Sequence, residues 1–117
     1  MNAVCAEANA KVTALPTSTG NSVSGLEKVF AIASAMLASI HAVTPPSPMA
    51  AEVKSWLAVQ DKQEGQVGKA LAALRAGSAA QAQSIATSGD QLSKKSDTQA
   101  KRLGVPACAE TPTPSGS

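Results

Sequence analysis

Apolar positions recur every three or four residues along most of this chain, and three clusters of helix-stopping residues interrupt them. That pattern predicts four helices and no strands. The interruptions fall at 15–21 (Leu-Pro-Thr-Ser-Thr-Gly-Asn), at 44–48 (Thr-Pro-Pro-Ser-Pro) and at Gly77-Ser78. Proline stops a helix because it lacks an N–H, and glycine because it tolerates the left-handed conformation.

The first predicted helix runs from about Asn2 to Leu15, with Val4, Ala8, Val12 and Leu15 on one face. The second starts near Ser24, with Glu27 three residues on as a capping box. Leu26, Val29, Phe30, Ala33, Met36, Leu37 and Ile40 form its stripe, the most apolar in the chain. The third starts near Ser47, with Pro48 suited to the first helical position. Its seam, Val53, Leu57, Gln60, Glu64, Val67, Leu71 and Leu74, alternates spacings of four and three. The fourth runs from Ser78 to Leu103 with the seam Ile85, Gly89, Leu92, Ser96, Gln99 and Leu103, and Gly104 and Pro106 end it. The domain is therefore expected to span residues 1–108, with 109–117 a disordered tail rich in Thr, Pro and Ser.

Short connections make sequential helices antiparallel, so the expected fold is all-α, an up-down-up-down four-helix bundle. An even number of helices returns the chain to the pole where it began. Cys5 lies in the first turn of the first helix and Cys108 just past the last. By composition the two cysteines could be free thiols, a metal pair or a disulfide. With one His and no CxxC, a zinc site lacks ligands. Topology favours the disulfide over free thiols. Closing a loop of this length stabilises by roughly 4–5 kcal/mol in the chain-entropy model. Composition gives that closure weight: 44% of residues are apolar, but alanine dominates them, with one Phe, one Trp and no Tyr.

Ten basic and eight acidic residues leave a net charge of +2, which argues against nucleic acid or an anionic membrane as partner. The nearest basic cluster, Lys94, Lys95, Lys101 and Arg102, is expected to be the solvated face of a helix. The apolar run from Val29 to Ile40 is interrupted by Ser34 and Ser39. It falls short of the ~18–20 residues that span a bilayer, so no integral membrane span is expected. Met1 to Leu15 has neither a basic nor an apolar signal-peptide region, so no signal sequence is expected within the chain.

No catalytic set stands out. His41, the single histidine, falls near the end of the second helix with no nucleophile spaced to it. Glu52, Asp61 and Glu64 share the third helix without the Glu-x-x-His pattern of di-iron bundles, so neither metal nor cofactor is expected. Gln60, Glu64, Ser96 and Gln99 put polar groups on the seams of helices three and four. Either they line a small cavity for a ligand, or they face water and the face assignment is displaced by one position. Trp56 is a core anchor unless it is exposed beside Pro45-Pro46, where it would mark a partner-binding patch. The candidate binding residues are thus Trp56, Gln60, Glu64 and Gln99.

The two ends of the chain resemble a group of small secreted or membrane-anchored Ala-rich helical proteins of actinobacteria. The likeness rests on Cys5 to Pro16 (Cys-Ala-Glu-Ala-Asn-Ala-Lys-Val-Thr-Ala-Leu-Pro), on the turn Val43-Thr-Pro-Pro46, and on Leu103-Gly-Val-Pro-Ala-Cys108. It implies an exported helical bundle with a terminal disulfide and no established activity. Val4 and the lack of an apolar run before Cys5 depart from the lipid-attached members, and a lipidated Cys5 could not pair with Cys108. The expectation is a secreted or extracytoplasmic, non-enzymatic module that binds a protein or cell-envelope component. The alternatives are a small-ligand or lipid carrier using an inter-helix cavity, and a cytoplasmic adaptor with free thiols.

Overall fold

The computed structural model describes residues 1–18, 22–110, 112 and 114–116. It is all-α, an up-down-up-down bundle of α1 (Asn2–Ala14), α2 (Val23–His41), α3 (Ala50–Arg75) and α4 (Ala79–Arg102). Two 3-10 turns, Ser47–Met49 and Pro106–Ala109, precede α3 and follow α4. Among the described residues there is no strand, only an isolated bridge between Pro16 and Gly116.

The long helices end where the glycines require it. Gly77 and Gly104 take φ of +80° and +78°, the left-handed region that L side chains avoid. Each closes a Schellman motif. Ser78 N–H donates to Ala73 O and Gly77 N–H to Leu74 O. At the other end Val105 N–H donates to Ala100 O and Gly104 N–H to Lys101 O. The second motif turns the chain from α4 into the 106–109 turn.

Sequential helices pack side by side, α1 on α2, α2 on α3 and α3 on α4. No Cα of α2 lies within 8 Å of α4, and none of α1 within 8 Å of α4. The turn Pro106–Ala109 closes the ring instead, lying against both α1 and α4. Cys5 and Cys108 form a disulfide across it, with Cα atoms 5.1 Å apart and 103 positions apart in sequence. Asn2 and Asn9 of α1 hold the same turn. Ala107 N–H donates to Asn2 Oδ1 at 2.8 Å, and Asn9 Nδ2 donates to Ala107 O at 2.8 Å.

The densest core surrounds this clasp and comprises Cys5, Ile40, Val53, Trp56, Ala100, Leu103 and Val105. Trp56 is fully buried. Its indole N–H donates to Ser96 Oγ at 3.2 Å, and Gln60 Nε2 donates to the same oxygen at 2.5 Å. A buried Trp needs a partner for its one polar atom, and the Ser96 hydroxyl supplies it.

Four expectations change. The N-cap of α2 is Ser22 rather than Ser24: Ser22 is extended and its side chain accepts from Gly25 N–H at 3.0 Å. Glu27, freed from a capping box, instead accepts from Arg75 Nε on α3 at 2.9 Å. The α3 face is turned by about one position, so Trp56 and Val59 are buried while Leu57 is half-buried and Val67 is 45% exposed. The seams of α3 and α4 leave alanine out, and Ala73, Ala82 and Ala100 take core places off those seams.

The tail is tied down where it is described. Ser115 N–H donates to Thr13 O at 3.1 Å and Gly116 N–H to Leu15 O at 2.8 Å, so these two residues run beside the end of α1. Thr111, Thr113 and Ser117 lie outside the described residues. Finally, the apolar run at 29–40 understates α2. Its 19 residues reach a mean hydropathy of 1.5 over 18 positions, long and apolar enough to cross a membrane by length and composition alone, and only 17% of that window is buried. The run falls short because Val23 to Lys28 were counted outside it, although they continue the same helix.

Candidate functional site

Because α2 and α4 stand apart, the bundle is hollow between them. Toward the Gly77 hairpin, a groove of about 570 Å³ runs between α3 and α4 and under the start of α2. Its walls are mostly apolar: Leu26 from α2, Val67, Leu71 and Leu74 from α3, Ile85 and Ala86 from α4. Gly89 opens it further, since a Cβ there would meet nothing within 4 Å. A cavity of this volume, apolar with a few convergent polar groups, is of the size that holds a small organic molecule.

Toward the clasp, a second cavity of about 260 Å³ sits inside the ring formed by all four helices and the 106–109 turn. One wall is apolar, with Val12, Val29, Ile32 and Met36 from α1 and α2. The opposite wall is polar, with Gln60 and Gln63 from α3 and Ser93, Ser96 and Asp97 from α4. Helical spacing explains the polar wall. Gln60 and Gln63 are three residues apart and Ser93 and Asp97 four apart, so each pair shares a face. Gln63 and Ser93 line both cavities, so the apolar groove and the polar-walled crevice adjoin at those two residues.

Two of the polar groups are already engaged: Gln60 and Ser96 bond to each other and, through Ser96, to Trp56. Gln63, Ser93 and Asp97 make no side-chain hydrogen bond among the described residues. Burial lifts the Asp97 carboxyl above its ordinary range, opposed by the Lys101 ammonium one turn on. The Asp97 carboxyl beside the unengaged Gln63 amide and Ser93 hydroxyl offers hydrogen-bond acceptors and donors to a ligand.

The residues singled out from sequence separate. Gln60 lines the crevice. Trp56 does not reach it: its indole is sealed in the core and only holds Ser96 in place, so it is no surface patch. Gln99 points to the other side of the α3–α4 seam, where its Nε2 donates to Ser55 Oγ at 3.3 Å and its Oε1 is buried without a partner. Glu64 is half-buried and lines neither cavity. The one-position turn of α3 accounts for this, since it brings Gln63 inward in place of Glu64. His41 also stands outside, its Nε2 donating to Asp61 Oδ1 at 2.9 Å on the outer seam of α2 and α3. Among the described residues no group of three His, Cys, Asp or Glu side chains comes together to hold a metal ion. Gln63, Ser93 and Asp97 are missed by a seam count, and their three- and four-residue spacings to Gln60 and to each other were the available signal.

Compared with protein-family models, with curated proteins and with solved structures, this chain matches none.

Proposed function

We propose that this protein acts by binding, and that it holds a small amphipathic molecule between its helices. The observation that supports this is an apolar groove lying next to a polar-walled crevice, with Gln63 and Ser93 lining both. The gap between α2 and α4 is its mouth, and α2 is its movable wall. That helix is pinned to α3 near its ends by Glu27–Arg75 and His41–Asp61, both exposed pairs of small worth, and elsewhere by apolar contact. The compartment is extracytoplasmic on this reading, because the terminal disulfide persists only outside a reducing cytosol. Likeness to the actinobacterial exported proteins is consistent with it.

Uptake of the neutral dye Nile red tests the proposal. The wild-type protein is expected to bind it in a blue-shifted, saturable complex and to melt at higher temperature in its presence. Gly89→Leu fills the groove from a position with open space around it, so the fold is retained and the dye signal lost. Dye bound equally well by Gly89→Leu, with far-UV dichroism unchanged, would falsify the carrier reading.

A second reading is favoured by α2 alone. Its apolar length and low burial suit a surface that docks on an envelope component or a protein partner. Co-sedimentation with neutral phosphatidylcholine vesicles separates the two: a carrier binds monomeric dye without pelleting, whereas a docking helix pellets with the vesicles.

A further inference from the structure

We infer that the ligand of this cavity is a single-chain amphiphile whose head group donates hydrogen bonds, a hydroxyl or an amine, and that anionic head groups are rejected. This rests on the binding reading above and adds the class of molecule. The shape of the space selects one chain. Along α3 the groove runs from Gln63 to Leu74, roughly 17 Å at the helical rise, and it is walled by only three helices. A long acyl chain lies along it, and the shared residues Gln63 and Ser93 place the head in the crevice.

Charge selects the head. Among the described residues, the charged side chains lining the two cavities are Asp90 in the groove and Asp97 and Glu110 in the crevice, and no Lys, Arg or His lines either. Asp90 and Asp97 are seven residues apart on one face of α4, so they flank Ser93. Ionised carboxylates accept hydrogen bonds and donate none, and Gln63 and Ser93 each carry a free donor and acceptor. A carboxylate or phosphate placed there meets like charge with no cation in the lining, the Lys101 ammonium near Asp97 lying outside it. A hydroxyl or ammonium meets acceptors on three sides. Glu110 is partly engaged by Asn9 Nδ2 at 3.1 Å, which leaves Asp97 as the nearer free acceptor.

Three amphiphiles of equal chain length test this: monolauroylglycerol, dodecylamine and laurate, each below its micelle concentration, competing with Nile red at neutral pH. The glycerol ester and the amine are expected to displace the dye at concentrations at least about tenfold lower than laurate. Asp97→Lys, checked for folding by dichroism, should reverse the order of amine and laurate. Asp97→Asn should bring the amine back to the level of the glycerol ester. Laurate binding as tightly as the glycerol ester, or a ranking unmoved by Asp97→Lys, overturns the head-group assignment while leaving the binding reading intact. Failure of all three to displace bound dye, or no dye binding at all, overturns the binding reading itself.

Discussion

The two poles of this bundle are built from the same helices to opposite ends. At the clasp pole, Ile40, Val53, Trp56, Ala100 and Leu103 pack into a core with Cys5 of the disulfide, and the cavity beside it is the smaller one, about 260 Å³. At the hairpin pole, α2 keeps to α3 and stays clear of α4, and a groove of about 570 Å³ opens. A bundle short of large apolar residues cannot fill its whole length. This one spends its only Trp at one end, with a covalent link beside it, and leaves the other end hollow. The densely packed core and the larger open groove are thereby separated along the bundle axis.

That separation sets the size of what mutations should do. Replacing both cysteines by serine removes the loop closure and should cost about 4–5 kcal/mol in urea unfolding, the largest single effect in the molecule. A loss below about 1 kcal/mol would mean the clasp pole holds without its clasp. Next comes Ser96→Ala, which strips the acceptor from both Trp56 and Gln60. It should cost about 1–3 kcal/mol and shift Trp56 fluorescence, because a buried N–H is left unpaired.

The two Schellman glycines test whether the poles differ in packing or in local backbone. Gly77→Ala and Gly104→Ala each force a Cβ into the left-handed region and should each cost roughly 1–2 kcal/mol. Equal costs locate the asymmetry in side-chain packing. A much larger cost at Gly104 would show that the clasp depends on its turn. By contrast, Val67→Ala on the groove wall should fall within about 0.5 kcal/mol in denaturant titration, since Val67 is already 45% exposed.

The smallest effect is a pH slope. The Asp97 carboxyl is lifted by burial, so the folded chain holds its proton more tightly than the unfolded chain does. Stability contributed by this group therefore falls as pH rises through the carboxylate range, and the penalty is full above the folded value. The Lys101 ammonium beside it opposes that shift. Asp97→Asn should match the wild type at about pH 3 and equal or exceed it at about pH 7, read from urea midpoints. A variant less stable at neutral pH than at acid pH, relative to wild type, would reverse the sign.

How much of the candidate site was legible follows from what each residue announces. Gln60 and Ser96 stand out as polar positions on apolar seams, and both reach the interior. Gln63, Ser93 and Asp97 look like ordinary surface residues in the sequence, and only the rotation of α3 and the absence of α2–α4 contact bring them to a shared wall. Trp56 announces itself, but one tryptophan reads equally as anchor or patch until its neighbours are known. Glu64 and Gln99 fit the same heptad arithmetic and lie elsewhere.

From the sequence alone follow the four helices, their antiparallel order and the meeting of Cys5 with Cys108. These depend on local backbone rules and on helix number, which composition and punctuation encode directly. The cavity depends on distances between helices that are not neighbours in the chain. Those distances are decided by the small size of alanines at core places, Ala73, Ala82 and Ala100, and by a turn, Pro106–Ala109, that lies against both α1 and α4. Small side chains carry almost no periodic signal, so where the bundle closes and where it stays open was settled by tertiary packing.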